Sequence, residues 1–310
     1  MKKTEENMGL FNNSKNFPSL PQILLRLIKA CNDDSVSLEA LSTLISKDPS
    51  LCTRVVRLVN SPFVGLSHKV NTVNQAVVYL GLNTIKNLAI SASVLQAFKR
   101  SEYCAIFALN QFWFHSFTCA VAARNIAKRT AYHSAEEAFL AGLLHDIGKL
   151  ILVMNYSDTF SDVTDLPVSP SSYDRKIEYR VGFSHEEVGA YIIRSWHLND
   201  VMADAVLYHH QALTEIQETF PLVKIVFAAN AFFHSSEHPS ENQGIDAGRS
   251  LFGFTRTESE DIIMAARQEA IDVAASFEID TMPYEERSSE TSTGTKNIRK
   301  TLLYSSLPPR

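Results

Sequence analysis

Apolar residues return every three or four positions along most of this chain, and no convincing run alternates apolar with polar residues. That period belongs to helices that bury one face, whereas half-buried strands repeat every second residue. Leu20, Ile23, Leu24, Leu27 and Ile28 make one stripe, and Leu38, Leu41, Leu44 and Ile45 make the next. In "KDPSLCTRVVRLVNSP", Asp48 is placed to cap a helix, Pro49 suits its first turn and Pro62 marks its stop. Asn60, Ser61 and Pro62 then read as capping residues at the helix end. Val73, Ala76, Val77 and Leu80 form a further stripe closed by Gly81, and a helix from about 83 to 98 follows. The pattern predicts more helices over roughly 106–129, 135–154, 185–195, 200–210, 219–233 and 256–277. The expected fold class is all-α.

Composition narrows the options. With 310 residues, 45% of them hydrophobic, the chain can bury one large core or two modest ones. A net charge of −5 demands no broad basic face, so no nucleic-acid partner is expected. Cys31, Cys52, Cys104 and Cys119 form no C-x-x-C pair, which suits reduced thiols and a cytoplasmic location. "MKKTEENMGLFNNSKN" lacks the apolar run of a secretory signal, and no uncharged apolar stretch of about 18 residues predicts a membrane span. Residues 1–15 read as a flexible N-terminus, "SDTFSDVTDLPVSPSSYD" as a loop, and 281–310 as a mostly disordered tail.

The stretch "FLAGLLHDIGKLILVMNY", residues 139–156, reads as protein interior yet carries His145, Asp146 and Lys149. Buried charge has to be paired or bound to a metal. Further histidines stand in "FWFHSF" (His115), "FSHEEVG" (His185) and "LYHHQA" (His209 and His210). Imidazole and carboxylate together suit zinc, iron or manganese. On a continuous helix His145 and Lys149 share a face, while His145 and Asp146 diverge by roughly 100°. One ion would then lie between their two directions, or the carboxylate would bridge two ions. Ser184 and Glu187 form an S-x-x-E capping box that puts His185 in the first turn of its helix. Plainer readings stand beside these. His115 fits a hydrogen-bonded core residue, His209–His210 a frayed helix end facing the dipole, and Lys149 a solvated cation. Spacing alone leaves both sets open.

Seven segments occur in a telling order: "FPSLPQILLRLI", "LISKDPSLCTRVVRLVNSPFVG", "VNQAVVYLGLNTIKNLAI", "FWFHSFTCAVAARNIA", "AFLAGLLHDIGKLIL", "HEEVGAYIIRSWHLNDVMADAVLYHH" and "LVKIVFAANAF". On these, the chain resembles the HDOD family, bacterial signal-output relatives of the HD-domain metal phosphohydrolases, over about 17–280. The resemblance implies an all-α fold in which a helical N-terminal subdomain (16–105) packs on an HD-type core (106–280). In the HD-GYP type, which hydrolyses cyclic di-GMP, the metal ligands match His115, His145, Asp146, His185, His209 and His210. Lys149 matches a lysine that faces the substrate phosphate there, its catalytic role if this chain is an enzyme.

Three departures accompany the match. The distal aspartate falls at Asn230, a glutamate one turn before the first histidine falls at Gln111, and "HHQALTEI" replaces the GYP segment. Asn230 and Gln111 are left as weak or outer contributors, and His234 is a conceivable substitute ligand. The resemblance implies one or two divalent ions of iron, manganese or zinc. Together with these departures it points to a signal-transduction output protein with little or no catalysis, whose partner is a signalling protein or small ligand; the N-terminal subdomain, rich in family motifs but without a catalytic set, is the expected docking surface. A metal-dependent phosphohydrolase and a structural bundle with relic histidines are the alternatives.

Overall fold

The computed structural model describes residues 22–31, 36–98, 109–156, 178–179, 181–233, 243–277 and 279. Every regular element among them is a helix, so the all-α expectation holds. Residues 1–15, the loop after 156, His234 and the tail from 281 lie outside the described residues. No helix among the described residues is long and apolar enough to cross a membrane.

The first part of the chain folds as α1 (Gln22–Cys31), α2 (Leu38–Ser46), α3 (Pro49–Val59), α4 (Val73–Leu80) and α5 (Leu82–Phe98). α5 is the spine, because α1, α3 and α4 all pack on it. Its Ile85, Leu88, Ala89, Ile90, Ala92, Val94, Leu95 and Phe98 are buried, as a helix apolar on most sides must be. Local chemistry sets the ends. Asp48 Oδ1 accepts from Leu51 N at 2.9 Å with Pro49 in the first turn, and Gly81 closes α4 at φ +81°.

Asn60 does more than cap α3. Its Nδ2 donates to Val56 O at 3.0 Å and to Val70 O at 2.7 Å, while its Oδ1 accepts from Val70 N at 2.9 Å. One amide thus clips both ends of the 60–70 connection together.

The second part runs α6 (Leu109–Arg129), α7 (Ala135–Leu144), α8 (Ile147–Tyr156), α9 (His185–Ser195), α10 (Asp200–Tyr208), α11 (Leu213–Ile216), α12 (Pro221–Ala231), α13 (Gln243–Phe252) and α14 (Arg256–Ser276). α6 lies at the centre with α7, α12 and α14 against it, and α7 also packs on α5. Buried Arg124 of α6 reinforces that join. Its Nη1 donates to Phe63 O at 2.8 Å, its guanidinium lies 4.1 Å from the Phe63 ring centroid, and its Nε is 3.4 Å from Glu136 Oε1 on α7.

Three elements depart from the periodicity reading, the shortest being α11, a single turn in the gap between the helices expected over 200–210 and 219–233. The helix expected over 135–154 is broken at His145–Asp146, and α13 was not anticipated. Glycine at 244 and 248 hides α13 from a propensity argument. Its reason is tertiary, since a Cβ on Gly244 would lie 2.8 Å from Ala231 O at the end of α12.

Replacing Asn60 with alanine removes three hydrogen bonds and strands the Val70 amide. The expected loss is about 1–3 kcal/mol, read as a lower urea midpoint at unchanged slope. Asp48→Ala removes a single cap and should cost about 1 kcal/mol.

Candidate metal centre

Two glycines set how closely the helices around the centre approach. A Cβ on Gly142 of α7 would lie 2.8 Å from Ala120 Cα and 2.9 Å from Cys119 O on α6. A Cβ on Gly148 of α8 would overlap the carbonyl oxygen of His185 and lie 2.8 Å from Gly189 N on α9. α7 therefore meets α6, and α8 meets α9, backbone against backbone.

The break between α7 and α8 has a local cause. The ring Nδ1–H of His145 donates to Gly142 O at 2.7 Å, taking the carbonyl that a continuing helix would have bonded. α7 stops at Leu144 with His145 as its C-cap, and Asp146 begins a fresh turn, its carbonyl accepting from Lys149 N at 2.9 Å. The same device ends α10, where His209 is the C-cap and its Nδ1–H donates to Val206 O at 2.6 Å. A carbonyl only accepts, so Nδ1 carries the proton in both rings. In the neutral ring Nε2 is then the acceptor, pointing away from that carbonyl.

Asp146 stands at the centre. Its Oδ1 is 3.3 Å from His185 Nε2 and 3.4 Å from His209 Nε2. Its Oδ2 is 3.5 Å from His145 Nε2, 3.7 Å from His115 Nε2 and 2.8 Å from Lys149 Nζ. His145, Asp146, His185 and His209 are buried, His115 is half-buried and His210 reaches the surface. The ligating atoms of Asp146, His185, His209 and His210 all lie within 4.8 Å of one another. Those of His115, Cys119 and His145 form a second such group. His209 is therefore not at a frayed end, and Lys149 is engaged by Asp146 rather than simply solvated. Asn230 lies alongside, its Nδ2 3.4 Å from His209 O and 3.5 Å from His210 Nδ1. Gln111 is exposed on α6, one turn before His115.

The spacing separates Lys149 from the imidazoles. The lysine makes an ordinary charge-assisted hydrogen bond to Asp146. The Nε2–oxygen gaps of 3.3–3.7 Å exceed the usual range for one. Nitrogen donors at about 2.0 Å on one tetrahedral ion lie roughly 3.3 Å apart, and His185 Nε2 to His209 Nε2 measures 3.4 Å. Buried polar atoms without a hydrogen-bond partner include Glu186 Oε2 and, around Asp146, three more: His145 Nε2, Asp146 Oδ1 and Asn230 Oδ1. All three are acceptors, so they suit a cation better than another hydrogen-bond acceptor.

Charge follows the same logic. Burial pushes His145 well below the ordinary histidine value, leaving it neutral and ready to donate its lone pair. Burial alone would raise Asp146, but the Lys149 ammonium first, and then the His185 Nε2–H beside Oδ1, hold it well below the carboxylate range. His185 is raised to about 9: burial opposes protonation, but Asp146 and Glu178 outweigh it. Desolvation of the His210 ring, then His209 and His185, lower its value even though the residue keeps exposed surface.

Sequence reasoning passed over Glu178, Glu186 and Cys119. Glu178 Oε1 accepts a hydrogen bond from His185 Nδ1–H and another from His185 N at 2.9 Å, which aims Nε2 of that ring at Asp146. Glu186 Oε2 is 3.4 Å from the same Nδ1. Cys119 stands one turn after His115, a spacing that could have flagged it. Glu178 has no comparable signal.

Gly148→Ala should force α8 and α9 apart and carry His185 away from Asp146. The expected destabilisation is about 1–3 kcal/mol by chemical denaturation. Gly81→Ala, where nothing lies near the added Cβ but φ is positive, should leave divalent-ion binding unchanged.

The HDOD domain profile matches residues 17–212. An uncharacterized protein of Treponema pallidum (strain Nichols) is 27% identical over 258 residues, covering 81% of this chain and 48% of that protein. The chain thus spans about half the length of that curated relative. Among solved structures, an HDOD domain protein of unknown function from Geobacter sulfurreducens superposes with a TM-score of 0.66 at 23% identity, over 89% of this chain and 97% of that one. A candidate phosphohydrolase from Shewanella amazonensis SB2B superposes with a TM-score of 0.68 at 23% identity, over 87% and 97% of the two chains. At such identities the superpositions speak to fold. The profile match covers more than half of the sequence, and on that ground the chain belongs to the HDOD domain family.

Proposed function

We propose that this chain is a signal-transduction output module whose histidine–aspartate cluster holds one or two divalent cations and carries little or no hydrolysis. The observation that supports it most is Asn230. At the position where the resemblance puts a second carboxylate, this chain presents a buried, unpartnered amide oxygen, Oδ1. Asp146 is then the one carboxylate in the group it forms with His185, His209 and His210. A bound divalent cation would lower the pKa of its water and polarise a phosphoryl oxygen. The His209 lone pair, Asp146, His185 and His210 would hold one such ion, and the His145 lone pair with His115 would hold a second on the other side of Asp146. With so little negative charge the ion is held less firmly. Lys149 is spent on Asp146 at 2.8 Å with its side chain 17% exposed, instead of waiting for a phosphate.

Binding at His185 requires loss of its Nε2 proton, since Nδ1 already serves Glu178. Cation uptake should therefore strengthen from mildly acidic to mildly alkaline pH. Iron, manganese and zinc all suit such nitrogen and oxygen donors. A signalling protein or small ligand would read the ion-loaded fold, with the first five helices as its docking surface.

A phosphohydrolase is the second reading. One observation favours it: a cavity of about 460 Å³ beside the cluster, lined by His209, His210, Phe227, Asn230 and Asp246 among others. That volume admits a small ligand.

Elemental analysis of protein purified without a histidine tag should find a first-row divalent metal. Chelation should lower the melting temperature, by about 2.7 kcal/mol of stability if the free ion stood at a hundred times its Kd. His145→Ala should abolish that response. Hydrolysis of cyclic di-GMP and of simple phosphodiesters should be negligible with manganese or iron supplied. Asn230→Asp should raise metal occupancy. Robust wild-type turnover that vanishes in Asp146→Ala would promote the enzyme reading.

A further inference from the structure

We propose that Cys119 is a thiolate ligand which, with His115 and His145, makes one corner of the cluster a zinc-selective site. This rests on the reading that the cluster holds a cation, and adds which ion and through which atom.

The geometry begins on α6. His115 and Cys119 are four residues apart and so face the same way. Cys119 Sγ lies 3.6 Å from His115 Nε2. Sulfur at about 2.3 Å and nitrogen at about 2.0 Å on one tetrahedral zinc ion are roughly 3.5 Å apart. The third donor comes from across the helix pair. Gly142 lets α7 close onto the backbone of α6 at Cys119 and Ala120, and His145 follows at the end of α7. The ring centroids of His115 and His145 are 5.2 Å apart, and one donor atom from each of the three residues fits within 4.8 Å.

A buried cysteine by itself is more often a small apolar filler. What points to a ligand is His145. Its Nε2 is wholly buried, its proton is fixed on the far nitrogen, and no hydrogen-bond donor meets it. Asp146 Oδ2, 3.5 Å from His145 Nε2 and 3.7 Å from His115 Nε2, supplies a fourth donor, with a lone pair beyond the one Lys149 uses.

The two oxygens of Asp146 thus serve two different neighbourhoods. Oδ1 faces His185 and His209, whose imidazole nitrogens suit iron as well as zinc. Oδ2 faces the corner that contains sulfur, and thiolate favours zinc. In the metal-free chain burial, and then Asp146, keep the Cys119 thiol protonated. As the zinc–sulfur bond forms, the S–H bond breaks and the proton leaves to solvent.

Cobalt reads the sulfur directly, because a thiolate bound to Co²⁺ gives an intense near-ultraviolet charge-transfer band. The untagged full chain, stripped and reloaded with Co²⁺, should show the band. Cys119→Ser and Cys119→Ala should lose it and hold zinc at least tenfold more weakly, while Cys52→Ser keeps both. Melting of each variant in chelator, compared with chelated wild type, reports folding separately. Cobalt bound to wild type without the band, or a band that survives in Cys119→Ser, would overturn the thiolate assignment and leave the cation reading standing. No cobalt or zinc bound to wild type at all would overturn both.

Discussion

A single carboxylate, Asp146, sits in the interior with four imidazoles and one ammonium around it. A buried anion is tolerable only where it is fully compensated, and the surroundings are built to that end. Lys149, one turn on, supplies the direct ion pair. His145 ends α7 and gives Asp146 its position between two helices. His209 ends α10 in the same manner and arrives at the other carboxylate oxygen. Because each of those rings is tied through Nδ1 to the carbonyl of its own last turn, the inward lone pairs are held in place. That preorganisation is what a cation site needs and a merely packed histidine lacks.

The same helices that carry the cluster also carry the join to the first part of the chain. α6 bears His115 and Cys119 near its start and Arg124 further along, and α7 bears Glu136 at its start and leads into His145. Arg124 grips Phe63 O and the Phe63 ring, in a connection that Asn60 clips shut. The 60–70 connection is thus packed and hydrogen-bonded to the helices that carry His115 and His145.

How much of this could be read from the sequence depended on whether the cause was local. The stripes from Leu20 to Ile28 and from Val73 to Leu80 announce helices because burial of one face imposes their period. Asp48, Pro49 and the Ser184–Glu187 box announce helix starts because capping needs only neighbours. The gathering of His115, Asp146, His185 and His209 from separate elements has no local sign, and only the order of motifs pointed to it. The break at His145 escaped notice because a side chain, not a glycine or proline, took the helix carbonyl. α13 escaped because Gly244 and Gly248, poor helix formers, are there for close packing. Glu178 escaped because its role exists only through the fold that brings it to His185.

The central claim is that a divalent cation sits against Asp146. Anomalous diffraction from crystals of the untagged protein, recorded at the iron, manganese and zinc edges, tests it most directly. The account predicts an anomalous peak beside the Asp146 carboxylate, within coordination distance of the His185 and His209 Nε2 atoms, and a zinc-edge signal on the Cys119 side. Crystals grown with those metals supplied that show no anomalous peak there, with His145 Nε2 hydrogen-bonded to an ordinary water, would contradict it.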